Sequence, residues 1–328
     1  MNQIAFIFNH ITLYRYSVVL ALAAVFGVCF FLACCAYRKL PSHWAAAAAL
    51  LGVLFSLVLS RLIFWYCRPF SFETFRQALT TPATASHALL GAFVGCLLAA
   101  AIIGRYSGEF LSLLDCMSTA GCGAIALGRL AFFFSDADRG RVLTGTTSLP
   151  WAYPILDPGS GQPEYRLATF LFQSAAAGVL FLVLALLFFR ENPPHRRKSG
   201  SLTALFLMVY CASQVILDST RYDSLYLHSN GFVSMIQVLS AITLALTIVV
   251  CSVRAVKARG IIKWMYLPWV LVPCLFGGAG YMEYFVQRHG KLAAMGYSVM
   301  GACLAGIVLL GVLLWRADMA PNLQKEHK

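Results

Sequence analysis

Charge is what this chain has least of. Asp, Glu, Lys and Arg make up 12% of its 328 residues, about half of the roughly 25% usual in a soluble domain. With 60% hydrophobic residues and a mean hydropathy of +0.75, the long apolar runs leave no room between them for a soluble domain of useful size. Acidic residues are the scarcest charge, 13 against 25 basic ones, for a net +12. In a membrane protein that excess reads first as cytoplasmic-loop Lys and Arg, not as a nucleic-acid surface. The 11 cysteines include no Cys-x-x-Cys pair and mostly sit inside apolar runs. They read as small hydrophobes in a membrane core in preference to a disulfide framework or a cysteine metal site. Metal and nucleotide motifs are also missing, so no metal and no cofactor is expected. The first apolar run lacks a small-residue cleavage site and reads as a retained helix.

What is present is a series of runs of the length that spans a bilayer, about 20 residues each. Nine candidates lie at roughly 17–37, 44–66, 87–104, 110–134, 168–189, 202–218, 232–253, 262–286 and 292–315. The expected fold is an all-α, polytopic membrane helix bundle. Dense basic clusters at 190–198 (Arg190, Arg196, Arg197, Lys198) and 254–263 (Arg254, Lys257, Arg259, Lys263) share one side with Arg38, Lys39, Arg105, Arg316, Lys325 and Lys328. The other side carries Arg15, Arg68, Arg76, Arg139, Arg141, Arg166, Arg221, Arg288 and Lys291. The positive-inside rule then places the N-terminus outside and the C-terminus in the cytoplasm. A Gly91/Gly95 pair would allow close helix packing. The longest loop, 135–166, is rich in Gly, Pro, Asp and Thr. A loop of that length is usually functional or disordered, and its start beside Arg129 favours a lid or a substrate-facing role.

The stretch from Leu114 to Val142 holds Asp115 near the start of an apolar run and Arg129 near its end. An arginine in hydrocarbon costs about 2.5–3.5 kcal/mol at a helix centre, so it marks a functional site by default. A phosphate is the natural lipid partner of its planar fork. Other polar residues fall at the same span ends: Tyr16, His87, and then Tyr210, Gln214, Asp218 and Arg221 at helical spacings of four, four and three. Each also has a plain structural reading. His87 reads as a solvated cap, Arg129 and Arg221 as snorkelling cations, Asp218 and Arg221 as a local pair, and Tyr16 and Tyr210 as belt aromatics.

Taken together in order, these residues resemble the prolipoprotein diacylglyceryl transferases. That family's signature, close to GRxGNFxNxExxGR, runs without a gap along Gly128 to Arg141 (GRLAFFFSDADRGR), ending on Gly140 and Arg141. Its HGGLxG is similar to His87–Gly91, its HPTQLYE to Leu167–Gln173, its YGxxRFxxEFFR to the spacing of Tyr210, Gln214, Asp218 and Arg221, and its SMGQxLS to Ser234–Ser240. Tyr16 matches a first-span tyrosine, and Arg61 resembles a second-span arginine. Phe132, Ser135, Ala137 and Gln214 stand where the family carries Asn, Asn, Glu and Arg. Asp136 and Asp138 both remain candidates for the glutamate's place.

The resemblance implies a seven-span transferase-like core over residues 1–255, with two extra spans and a tail over 256–328, in a bacterial cytoplasmic membrane. It implies transfer of the diacylglyceryl group of phosphatidylglycerol to the lipobox cysteine of prolipoproteins. His87 would then be the proton acceptor, and Arg129, then Arg221, the cations facing the phosphate. Tyr16, Arg61, Tyr210, Gln214, Asp218, Gly140 and Arg141 would contact substrate. The partners are phosphatidylglycerol, prolipoprotein signal peptides and membrane lipid, with no nucleic acid and no cofactor. A non-catalytic relative that binds anionic lipid or a lipoprotein precursor is the second reading. The third is a transporter, kept open by Pro268, Pro273 and Gly277–Gly280 in the eighth run.

Overall fold

The computed structural model describes residues 4–8, 11–67, 74, 76–77, 87–143, 150–156, 161–190, 198–226, 233–288 and 292–319. Among the described residues, nine helices are long and apolar enough to cross a membrane. They are α1 (Arg15–Tyr37), α2 (Ser42–Cys67), α3 (Leu89–Ser107), α4 (Phe110–Arg129), α5 (Thr169–Phe189), α6 (Ser201–Ser219), α7 (Met235–Arg259), α8 (Tyr266–Arg288) and α9 (Ala293–Met319). The protein is a polytopic helical membrane protein, because hydrocarbon offers no partner for backbone groups and helices satisfy them internally. Arg68, Arg196, Arg197, Lys291, Lys325 and Lys328, used in the loop-charge reading, lie outside the described residues.

Two short antiparallel ribbons add to the helices. The pair β1 (Ile4–Phe8) and β2 (Ile11–Tyr14) precedes α1, and β3 (Ala152–Leu156) and β4 (Pro163–Leu167) form a ribbon within the long loop. Residues 144–149 and 157–160 of that loop lie outside the described residues. The rest is tied down. Gly140 N–H donates to Leu167 O at 2.7 Å, Leu143 N–H to Tyr165 O at 2.8 Å, and Ala168 N–H to Trp151 O at 2.8 Å.

The most buried helices are α4 and α6, with 56% and 61% of their spans covered, against 22–33% for the others. These two carry Arg129 and the Tyr210–Gln214–Asp218 series, so the expensive polar groups sit in the middle of the bundle. At the far end, where α1 finishes, Asp115 of α4 is fully buried. Its carboxylate accepts from Gly200 N–H (2.9 Å), Thr203 N–H (2.8 Å), Thr203 Oγ1 (2.8 Å) and Arg38 Nη1 (3.0 Å). Asp115 therefore caps the N-terminus of α6 from a neighbouring helix and satisfies donors that hydrocarbon could not. At the near end, α2 and α3 touch through Gly91 and Gly95. A Cβ added at either would come within 2.4 Å of the α2 backbone, at Leu59–Ser60 and at Ser56. Helix α9 packs against α6 and α7, and α8 packs on α9, reaching α6 and α7 through Glu283 and Trp269. Helix α8 runs unbroken through Pro273 and Gly277–Gly280, so the interrupted span that kept a transporter reading open is not present.

Candidate functional site

The site is built where α4 ends. After Arg129 the chain tightens into a 3-10 turn over Leu130–Phe134, and Ser135 leaves it extended. The chain then reverses through Asp138, whose φ of +62° lies in the left-handed region that an aspartate tolerates better than most residues. Its amide donates to Asp223 Oδ2 at 2.8 Å. From there the backbone runs between two segments: Gly140 bridges Arg221, and Tyr222 N–H donates to Arg139 O at 2.8 Å. Gly140 is required by closeness, since a Cβ there would lie 2.6 Å from Thr169 Oγ1 and 2.8 Å from Leu167 Cβ.

This turn delivers the Asp138 carboxylate between two buried guanidiniums. Oδ2 accepts from Arg129 Nη1 at 2.5 Å. Oδ1 lies 2.6 Å from Arg221 Nε, a close ion contact in which the N–H does not point along a hydrogen bond. Arg221 also meets Asp218 Oδ1 at 3.2 Å and Asp223 Oδ1 at 3.1 Å. Burial pulls the Arg221 pKa down, and Asp138, Asp223 and Asp218 more than offset it, so the group is held charged well above the ordinary range. Asp218 in turn takes a very short hydrogen bond from Ser234 Oγ. Ser234 is also the N-cap of α7 in a capping box with Gln237, and Gln237 Nε2 reaches back to Val215 O at 3.1 Å. The Ser234–Ser240 motif is thus a helix cap that locks α7 onto the end of α6.

Arg139, a loop residue with no role legible in the sequence, pins the turn. Its Nη2 donates to Phe132 O (2.8 Å) and Ser135 O (2.6 Å), and its guanidinium stacks over Tyr153 (3.9 Å) and Phe170 (4.6 Å). Burial lowers its pKa, with Tyr153 and then the neighbouring aspartates opposing.

Of the sequence candidates, the structure joins Arg129, Arg221, Asp218, Tyr210, Tyr16 and Gly140. Tyr210 faces Arg129, whose charge acts on it, and packs on Phe93 and Phe206. Tyr16 meets Phe132 edge-on at 5.4 Å, and Arg129 lies 5.8 Å from the same ring. His87 stands against α2: Ala88 N–H donates to Ser60 O at 3.0 Å, and Arg61 is the charge that acts on the imidazole. Burial first, and Arg61 second, push the His87 pKa down to about 4, and its Nδ1 has no hydrogen-bond partner among the described residues. Gln214 is buried with its Nε2 unpartnered, and Gln173, 1% exposed, has neither amide atom satisfied. Gln173 was seen in the sequence only as the end of a motif. Buried polar groups are otherwise nearly always paired, so these two amides stand out as open donors and acceptors. An apolar groove of about 480 Å³ runs between α5 and α6, lined by Val179, Val183, Leu205 and Val209 among others. Among the described residues no cluster of His, Cys, Asp or Glu has the arrangement of a metal site.

Chemically, the near end offers two fixed guanidiniums sharing one carboxylate, phenols beside them and, on the α2–α3 seam, an imidazole that burial keeps neutral. A sequence model of the prolipoprotein diacylglyceryl transferase family matches residues 3–253. The chain is 31% identical over 188 residues to a phosphatidylglycerol–prolipoprotein diacylglyceryl transferase of Synechocystis sp., covering 55% of this chain and 59% of that protein. It is 26% identical over 265 residues to the protein of the same name from Parasynechococcus marenigrum, covering 75% and 91%. With its namesake from Aeromonas salmonicida it shares 31% over 113 residues, 34% and 37% of the two chains. The matches to the Synechocystis and Aeromonas proteins thus span less than two thirds of those relatives' length.

Proposed function

This chain belongs to the prolipoprotein diacylglyceryl transferase family, and from that premise we propose that it moves the diacylglyceryl group of phosphatidylglycerol onto the lipobox cysteine of a prolipoprotein. Residues 1–255 are the transferase-like core and 256–328 an addition to it. The protein sits in a bacterial cytoplasmic membrane with the near end of the bundle outside and the C-terminus in the cytoplasm, as the loop charges favour.

The observation that carries the reading is the Arg129–Asp138–Arg221 group, formed where the family's partial motifs converge. In the reaction the thiol sulfur bonds to the glyceryl carbon, the bond from that carbon to the phosphate oxygen breaks, and glycerol phosphate leaves with the electron pair. Charge grows on the departing phosphate, and fixed buried guanidiniums stabilise it without reorganising. Arg129 is the first such cation and Arg221 the second. Asp138 holds both in place and also weakens their combined field, so a headgroup phosphate must share or displace it. Tyr210 and Tyr16 orient the headgroup around Arg129, and the amides of Gln173 and Gln214 supply hydrogen bonds to its hydroxyls. His87 accepts the thiol proton. Burial first and Arg61 second hold its pKa down, which keeps it neutral and able to take that proton. The α5–α6 groove takes an acyl chain.

A second reading has its own support: carboxylates already neutralise both arginines, while Phe132, Ser135, Ala137 and Gln214 replace groups of the family pattern. On that reading the protein binds phosphatidylglycerol or a lipoprotein precursor without turnover. The purified chain in phosphatidylglycerol vesicles with a lipobox peptide separates them. Transfer predicts release of glycerol phosphate matched by a diacylglyceryl-modified peptide. Saturable phosphatidylglycerol binding with neither product sinks the transferase reading in favour of the second.

A further inference from the structure

The helices α8 and α9 lie beyond the residues matched by the family model, yet they are built into the site. Glu283 of α8, 6% exposed, accepts from Ser219 Oγ at 2.6 Å and from Gln287 Nε2 at 3.1 Å. Tyr297 of α9 donates its hydroxyl proton to Ser219 O at 3.2 Å. Ser219 follows Asp218 directly, so both bonds fasten the end of α6 that presents Asp218 and Arg221. The far end is fastened as well. Trp315 Nε1 donates to Ser201 O at 2.9 Å, and Asp318 takes Lys198 Nζ at 2.8 Å and Arg254 Nε at 2.9 Å. A chance packing of two spare spans would not grip both ends of the helix that carries the site.

Arg141, the last residue of the signature stretch, has no ion pair among the described residues. Its guanidinium lies 5.2 Å from the centre of the Tyr297 ring. The charges of Arg141 and Glu283 both bear on Tyr226 and Tyr297, so these four side chains form one group at the edge of the Arg129–Asp138–Arg221 cluster.

We propose that Tyr297 is a positioning residue for Arg141, its ring holding that cation at the site's edge to receive the anionic phosphodiester of the donor lipid, so that the appended helix pair sets headgroup affinity. The inference rests on the reading above that the site takes phosphatidylglycerol, but not on turnover. A cation seated on an aromatic face keeps its charge while losing freedom, and such contacts are worth about two- to thirty-fold in an equilibrium constant depending on desolvation.

The test uses the full chain in detergent and follows binding of phosphatidylglycerol against phosphatidylcholine. Tyr297→Leu is expected to weaken phosphatidylglycerol binding about two- to thirty-fold, with phosphatidylcholine binding little changed. Tyr297→Phe keeps the ring and stays near the parent. In an Arg141→Ala background the further change Tyr297→Leu has less than a twofold effect. If Tyr297→Leu does not yield folded protein, Tyr297→Met serves in its place. Equal losses in Tyr297→Phe and Tyr297→Leu would assign the effect to the Ser219 bond, and full additivity with Arg141→Ala would break the link to the cation; either overturns the proposal. Parent protein that binds phosphatidylglycerol but transfers nothing leaves the inference standing and removes only the transferase reading. Parent protein without phosphatidylglycerol preference overturns both.

Discussion

Arg129 and Arg221 share the Asp138 carboxylate, and that sharing fixes what each arginine can contribute. Removing one partner of a buried ion pair costs about 3–5 kcal/mol, because the remaining charge stays in low dielectric unpaired. Asp138→Asn is therefore expected to lose about that much stability, read as a large drop in melting temperature in detergent, whereas exposed Asp136→Asn should change it little. His87 gives a pH-dependent counterpart. Its folded pKa of about 4 is below the unfolded value near 6.5, so between those values the unfolded chain binds a proton that the folded chain excludes. The stability due to neutral His87 is fully present above about pH 6.5 and is lost as pH falls toward 4. His87→Gln should flatten that part of a melting-temperature profile; an unchanged slope would count against a buried, neutral His87. The arginines, Asp218 and the phenols were legible in the sequence because a charge in an apolar run stands out. Asp138 could not be chosen over Asp136, since the choice is made by a positive φ and by an amide bond to Asp223, 85 residues away. Arg139 was illegible for the same reason: its partners are backbone carbonyls and rings brought in by folding.

At the scale of elements, two helix contacts aim the site. Gly91 and Gly95 let α3 lie on the backbone of α2, which sets Ala88 on Ser60 and His87 beside Arg61. Gly95→Ala is expected to force the helices apart and cost about 1–3 kcal/mol, as overpacking does. Its mark would be a His87 pKa moved back toward 6.5, read by NMR titration. The second contact is the cap that Asp115 places on α6. Asp115→Asn should lower the melting temperature strongly while leaving phosphatidylglycerol affinity in the surviving folded fraction unchanged, because the cap is at the end away from Arg129. Hydropathy alone located the nine helices among the described residues to within about four residues, except that α7 runs on to Arg259, six past the expected end. It said nothing about the β3–β4 ribbon, whose Pro- and Gly-rich sequence reads as loop and whose strands pair with each other and, through β4, with residues 141–143. The Ser234–Gln237 capping box follows a sequence pattern open to reading, but its bond to Asp218 joins two helices and is not.

For the whole molecule, the bundle concentrates polarity on α4 and α6 and surrounds them with apolar helices that face lipid. The Pro- and Gly-containing α8 is a continuous helix, and with α9 it bonds α6 at both ends through Glu283, Tyr297 and Trp315. Sequence could not place that pair, because nothing in 262–315 matches the family pattern and its docking rests on single residues such as Glu283, Tyr297 and Asp318. The central claim is that this whole arrangement transfers a diacylglyceryl group, with Arg129 facing the phosphate. The most direct measurement is lipidation of a reporter prolipoprotein in cells depleted of their own transferase and expressing this chain. The account predicts that the parent chain restores lipidation and that Arg129→Ala, at equal protein level in the membrane, lowers it by roughly 100-fold or more. No lipidation by the parent chain, or lipidation untouched by Arg129→Ala, would contradict it.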